Sequence, residues 1–289
     1  MGATDLAWLL DLEEIDTDLY RSPVEPLEVP RVHLYGGLVC AWALMAGART
    51  VGPDRAPHSL HGYFLRRGNA DRPVILKVDR DRDGRSFSAR HVTAVQDGEV
   101  ILSMLASFHV EEGGATFETP TRMSDVPHPD TLEGNPNRRM GFAALDVRNV
   151  VPEQEGWRPP TRQWIRTVDR LPDDPVLHAC VIAYISDLGT GFGELEVPDL
   201  PKGGPTIDHA LWFHGHHRAD EWLYLDQWPI KAIGARGLYM GAMHTLEGEL
   251  VGSLTQEALL RPGMGPPPNW RPEDGFPPNW KPGDDFPTA

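Results

Sequence analysis

Two cysteines in 289 residues, Cys40 and Cys180, each inside an apolar run, form no disulfide framework and are too few for a structural zinc site. No run approaches the roughly 18 apolar residues that a membrane-spanning helix needs. The first residues, MGATDLAWLLDLEEID, lack a basic start and are interrupted by Asp and Glu, so they do not read as a signal peptide. The last residues, FPTA, are not a peroxisomal address of the Ser-Lys-Leu type. A cytoplasmic, reducing location is the resulting expectation. Positive charge is also short, with 27 Lys and Arg against 42 Asp and Glu and a net charge of −15. Such a surface repels phosphates, which argues against nucleic acid or an anionic membrane as the main partner. A local basic pocket for one phosphorylated ligand stays open.

What is present is a soluble globular composition, 40% hydrophobic and 24% charged, long enough for one large domain or two ordinary ones. Two segments are apolar nearly all round: GGLVCAWALMAGA (36–48) and VLHACVIAYIS (176–186). Their length and their Ala, Leu and Met content predict helices buried on almost every side. The segment SFSARHVTAV-QDGE-VILSMLASFHV predicts a long hairpin with an Asp-Gly turn, and RGLYMGAMHT-LEGE-LVGSLTQEALL has the same form. The turn glycines, Gly98 and Gly248, stand 150 residues apart, an interval that suits a duplicated domain. LHGYFLRRG (60–68) likewise parallels DHALWFHGH (208–216), setting His61 against His209.

Buried helix followed by long antiparallel strands, twice over, predicts an α+β double hotdog: two tandem repeats, each a sheet wrapping a central helix. The expected boundaries are an N-terminal hotdog at 1–112, a Pro-, Gly- and acid-rich linker at 113–139, and a C-terminal hotdog with the candidate site at 140–260. A Pro-rich tail follows at 261–289, where PPNWRPEDGF is repeated as PPNWKPGDDF. Its proline content excludes helix and interior strand, leaving an extended arm or a Pro-rich partner motif.

TIDHALWFHGHH (206–217) carries the ligand types of a metal site. In a strand, however, Asp208 and His209 point to opposite faces, and HGHH reads as a loop. No functional metal is therefore expected, and the clustered histidines read as packing and surface residues. A serine nucleophile elbow is missing, and GTGFGELEVPDLPKGG lacks the Lys-Ser/Thr of a phosphate loop. That glycine-rich stretch reads as a flexible lip around a pocket. The remaining candidates are polar side chains among apolar neighbours. Asp187 ends the second helix, where the negative end of the helix dipole and burial both raise a carboxyl pKa, as a general base requires; an Asp that simply opens a turn is the alternative. Thr206 starts a strand, and Gln256 interrupts LVGSLTQEALL.

The motifs HSLHGYFLRRG, DRDGRSFSARHVTAVQDGE, LASFH, IAYISDLG, TIDHALWFH, DEWL and SLTQEALLR occur in order from about residue 10 to 261 and resemble the acyl-CoA thioesterase II family. The resemblance implies a double-hotdog hydrolase that converts acyl-CoA to free acid and CoA. It implies an Asp, a Thr and a Gln that hold the attacking water; these fall on Asp187, Thr206 and Gln256. It implies no cofactor beyond the CoA of the substrate, and homo-oligomers that associate through their sheets. His58 also lies in a matching motif, as an auxiliary group or as a packing histidine, and Arg66, Arg67 and Arg90 are candidates to meet CoA phosphates. Leu38 follows Gly36-Gly37 where the family usually has Gln. The runner-up function is an acyl-CoA binding or sensing protein on the same scaffold.

Overall fold

The computed structural model describes residues 5–24, 33–119, 123–134, 142–150 and 159–261. The decapeptide repeat of the tail and part of the expected linker lie outside the described residues. The described residues form twelve strands: β1 (Glu13–Asp16), β2 (Leu19–Arg21), β3 (Arg55–Phe64), β4 (Ile75–Asp83), β5 (Phe87–Gln96), β6 (Glu99–Val110), β7 (Leu145–Asn149), β8 (Arg162–Thr167), β9 (Thr206–Phe213), β10 (Leu223–Ile233), β11 (Arg236–His244) and β12 (Leu250–Leu259). The helices are a short α1 (Leu6–Leu9), α2 (Gly36–Ala48) and α3 (Pro175–Ser186). Sequence patterning anticipated both long helices to within a residue. It did not anticipate β1, β2, β7 and β8, which add the outermost strands on either side.

All twelve strands join one antiparallel sheet in the order β1-β2-β4-β5-β6-β3-β9-β12-β11-β10-β8-β7. The two halves meet where β3 pairs with β9, so each half continues the other's sheet and neither presents that edge to solvent. Residues Gly37 to Ala48 of α2 are all buried, and α3 packs directly against α2 inside the wrap of the sheet. A helix that is apolar on every side finds such surroundings only when helix and sheet enclose it together. The Asp97-Gly98 turn has φ of 51° and 79°, the left-handed pair that a two-residue hairpin needs. No described helix is long and apolar enough to cross a membrane.

The repeat survives to the level of irregularities. In β3 the register shifts between Pro57 and Ser59, leaving His58 as an extra residue; in β9, Asp208 and Thr206 pair with consecutive Glu257 and Ala258, leaving Ile207 extra. The correspondence of His61 with His209 is off by one residue. His61 is exposed and makes an edge contact with Trp212 (ring centroids 4.9 Å apart), whereas His209 is 1% exposed and faces the helices. Leu60 is the true counterpart of His209: Leu60 pairs with Ala106 as His209 pairs with Gln256. A strand's period of two turns a one-residue slip into a change of face.

Candidate active site

Asp187 is the C-cap of α3, with φ −94° and ψ 8°. Its carboxylate lies between two helix ends. The C-terminal end of α3 disfavours its charge, and the N-terminal end of α2, whose Gly37 backbone N–H reaches the carboxylate, favours it. A glycine at position 36 is what allows the approach: a Cβ there would stand 2.6 Å from Asp187 Oδ2 and 3.1 Å from the Phe64 ring.

Two strands bring the remaining polar groups. Thr206 opens β9, and its Oγ1 donates to Asp187 Oδ1 at 3.0 Å. Gln256, 2% exposed on β12, donates from Nε2 to Asp187 Oδ1 at 2.8 Å and to Thr206 Oγ1 at 2.6 Å. Two residues, 19 and 69 positions along the chain from Asp187, thus converge on one of its carboxylate oxygens, and Oδ2 is turned toward Gly36. Burial pushes the Asp187 pKa above its ordinary 3.8, while His209 and the donors from Gln256, Thr206 and Gly37 pull the other way without overcoming it. The residue as a whole keeps partial exposure. Tyr239, 1% exposed, lies close enough that burial and the Asp187 charge together push its phenol well up, which keeps it protonated.

The first half holds no second copy of the site. The counterparts of Thr206, His209 and Gln256 are Pro57, Leu60 and Ala106, and the C-cap of α2 is Arg49, which bonds Asp11 and the Leu12 carbonyl. His58 stands beside Pro57, six residues from Phe64 along β3, or about 20 Å from the Asp187 end of that strand. Its Nε2 shares a hydrogen bond with Ser107 Oγ at 2.8 Å, and its ring meets Phe87. His58 is therefore not brought to Asp187. Arg66 and Arg67 are exposed just beyond Phe64, on the Asp187 side, with Arg66 paired to Glu99 at 2.7 Å.

Arg90 is a correction. It is 1% exposed, and its guanidinium is consumed internally by Thr50, Asp83 and the carbonyls of Arg82 and Ala89, leaving no donor for a CoA phosphate. The first part of the glycine-rich stretch is packed rather than loose, with Thr190 and Phe192 buried and Glu194 bonding Thr161 and Arg162, whereas 196–199 are exposed. Among the described residues no group of three or more His, Cys, Asp or Glu is placed to hold a metal ion. Asp208 instead accepts from the Glu257 N–H at 3.1 Å, and His214 pairs with Ser253 Oγ at 3.0 Å. Sequence reasoning missed His209, which shares a hydrogen bond with Gln256 Oε1 at 2.6 Å. The available signal was its alternation with Leu211 and Phe213, which places it on the inner face of β9.

A carboxylate of raised pKa, flanked by a hydroxyl and an amide at a helix N-terminus, is a group chemically able to accept a proton from a bound water. Residues 26–109 match the acyl-CoA thioesterase N-terminal domain and residues 120–260 the acyl-CoA thioesterase C-terminal domain. The chain is similar to acyl-coenzyme A thioesterase 8 of Homo sapiens, at 32% identity over 88% of each chain. It is also similar to acyl-CoA thioesterase 2 of Haemophilus influenzae, at 34% identity over 89% of this chain and 97% of the relative. Among solved structures, an acyl-CoA thioesterase II from Mycobacterium marinum superposes with a TM-score of 0.75 and 39% identity, covering 89% of this chain and 98% of that one. The chain belongs to the acyl-CoA thioesterase family, and with it to the thioester hydrolases.

Proposed function

We propose that the protein hydrolyses acyl-CoA to the free acid and CoA in the cytoplasm by direct attack of water, with Asp187 as general base and no metal. The observation that carries this reading is the convergence of Thr206 and Gln256 on Asp187 Oδ1. With Oδ1 engaged by two donors, Oδ2 is the oxygen left to take a proton from water. Thr206 and Gln256 orient that water as well as the carboxylate. A thioester carbonyl is more electrophilic than that of an oxygen ester, so an activated water can reach it without an acyl-enzyme. The negative charge that develops on the carbonyl oxygen would be favoured by the positive end of the α2 helix dipole. CoA phosphates would lie toward Arg66 and Arg67, on the same side as Phe64.

Association of units through their sheets is part of the same proposal. The outer face carries Tyr63 (58% exposed), Leu105 (52%), Met240 (39%) and Trp212 (38%), an apolar strip across the β3–β9 seam that suits a second copy. A panel of acyl-CoAs of graded chain length, followed by release of free thiol, tests the activity. Turnover of at least one class, unaffected by chelator, is expected; tight binding of acyl-CoA with no thiol release from any member would favour the sensing protein instead.

A further inference from the structure

The side chain of Gln256 can serve Asp187 in only one of two orientations, and little in its own chemistry distinguishes them. Turned one way, Nε2 gives one N–H to Asp187 Oδ1 and the other to Thr206 Oγ1. Turned the other way, the amide oxygen faces the carboxylate, acceptor against acceptor, and the base loses a donor. What lies on the far side of the amide decides between them. There, His209 Nδ1 stands 2.6 Å from Gln256 Oε1. An amide oxygen only accepts, so Nδ1 carries the hydrogen. Burial pushes the His209 pKa down, so Nε2 of the neutral ring is an acceptor. The Ser186 hydroxyl, 0% exposed, stands 2.8 Å from Nε2 and 2.8 Å from the Ala183 carbonyl oxygen, so two acceptors share its one hydrogen. The hydrogens therefore run in one direction from His209 to Gln256 to Asp187, and each donor fixes the next group.

We propose that His209 is a positioning residue whose Nδ1–H locks the Gln256 amide in the orientation that turns both of its N–H groups toward Asp187 and Thr206. His209 touches neither water nor substrate; it acts through Gln256, and this role rests on Asp187 being the base. Without the Nδ1–H, Oε1 of a side chain that is 2% exposed has no donor, and the amide no longer prefers the useful orientation. The first half is consistent with such a role, because Leu60 stands where His209 does and its partner there is Ala106, which has nothing to orient.

Two polar variants separate positioning from mere packing, because each keeps one ring nitrogen's place. In H209N the amide N–H can occupy the Nδ1 position and face Gln256. In H209Q it reaches the Nε2 position and faces Ser186. Both are assayed for kcat and KM with acyl-CoA, alone and in a Q256A background, beside D187N. The expected result is an H209Q kcat lower by about 10²-fold, the scale of a misplaced catalytic group, with KM within about threefold. H209N should regain at least about tenfold of that loss, and neither variant should cost anything further once Gln256 is gone. Equal kcat for H209N and H209Q overturns the proposal, as does an undiminished H209Q loss in Q256A. Turnover that survives D187N would instead remove the base assignment, whatever the His209 variants do.

Discussion

Replacing Asp187 with Asn changes one atom and should separate function from stability in opposite directions. Asn keeps the shape, and its Oδ1 can still accept from Thr206 and Gln256, whose bonds at 3.0 and 2.8 Å end on that atom. What is lost is the proton acceptor at Oδ2. General-base assistance is worth about 10²–10⁴-fold in rate, or roughly 3–5 kcal/mol of barrier, so kcat should fall by that factor while KM changes little. Stability should move the other way. Burial raises the folded pKa of Asp187 above its ordinary 3.8, so the ionised carboxylate is harder to hold in the fold than in the unfolded chain. The stability that the protonated group allows is fully present below pH 3.8 and is lost as pH rises through the raised value. At neutral pH the wild type carries that penalty and Asp187→Asn does not, so the variant should melt higher at pH 7, with the gap closing in acid. Thiol-release kinetics and thermal melts at two pH values read both effects. Near-normal turnover, or a lower melting temperature at pH 7 with the gap widening in acid, would refute the reasoning.

Gly36→Ala sets a methyl 2.6 Å from Asp187 Oδ2, so carboxylate or helix must shift, and a displacement of that order should cost about 10²-fold in kcat with the protein still folded. Arg90→Met should leave kcat unchanged and cost roughly 2–4 kcal/mol in a urea titration. The cost is set by the buried Thr50 acceptors left without a donor rather than by Asp83, whose side chain is 55% exposed.

Much of the fold is legible in the sequence because its strongest signals are local. Segments 36–48 and 176–186 are apolar all round and can only be enclosed helices, and Asp97-Gly98 declares its hairpin. The outer strands are not legible: β1 is exposed at every residue, so no alternation marks it. The site is legible by a different route. Asp187, Thr206 and Gln256 are each ordinary in their local context, and only resemblance groups them; the β9–β12 register and the cap of α3 then explain how they meet. For Arg90 and His209 the sequence did not reveal how the side chain is buried. The one-residue slip that set His61 against His209 matched an exposed histidine with a buried one. The phosphate-binding expectation for Arg90 took a guanidinium for a surface group when its neighbours Thr50 and Asp83 had already claimed it.

The most direct measurement is the pH dependence of kcat/KM on an acyl-pantetheine thioester, which carries no titrating phosphate. If Asp187 is the base, activity falls toward acid as its carboxylate gains a proton, with a midpoint above the ordinary 3.8 because the group is buried, and levels off once the carboxylate is ionised. Activity that stays level down to pH 3.8, or falls only below it, would contradict the assignment of Asp187 as the base.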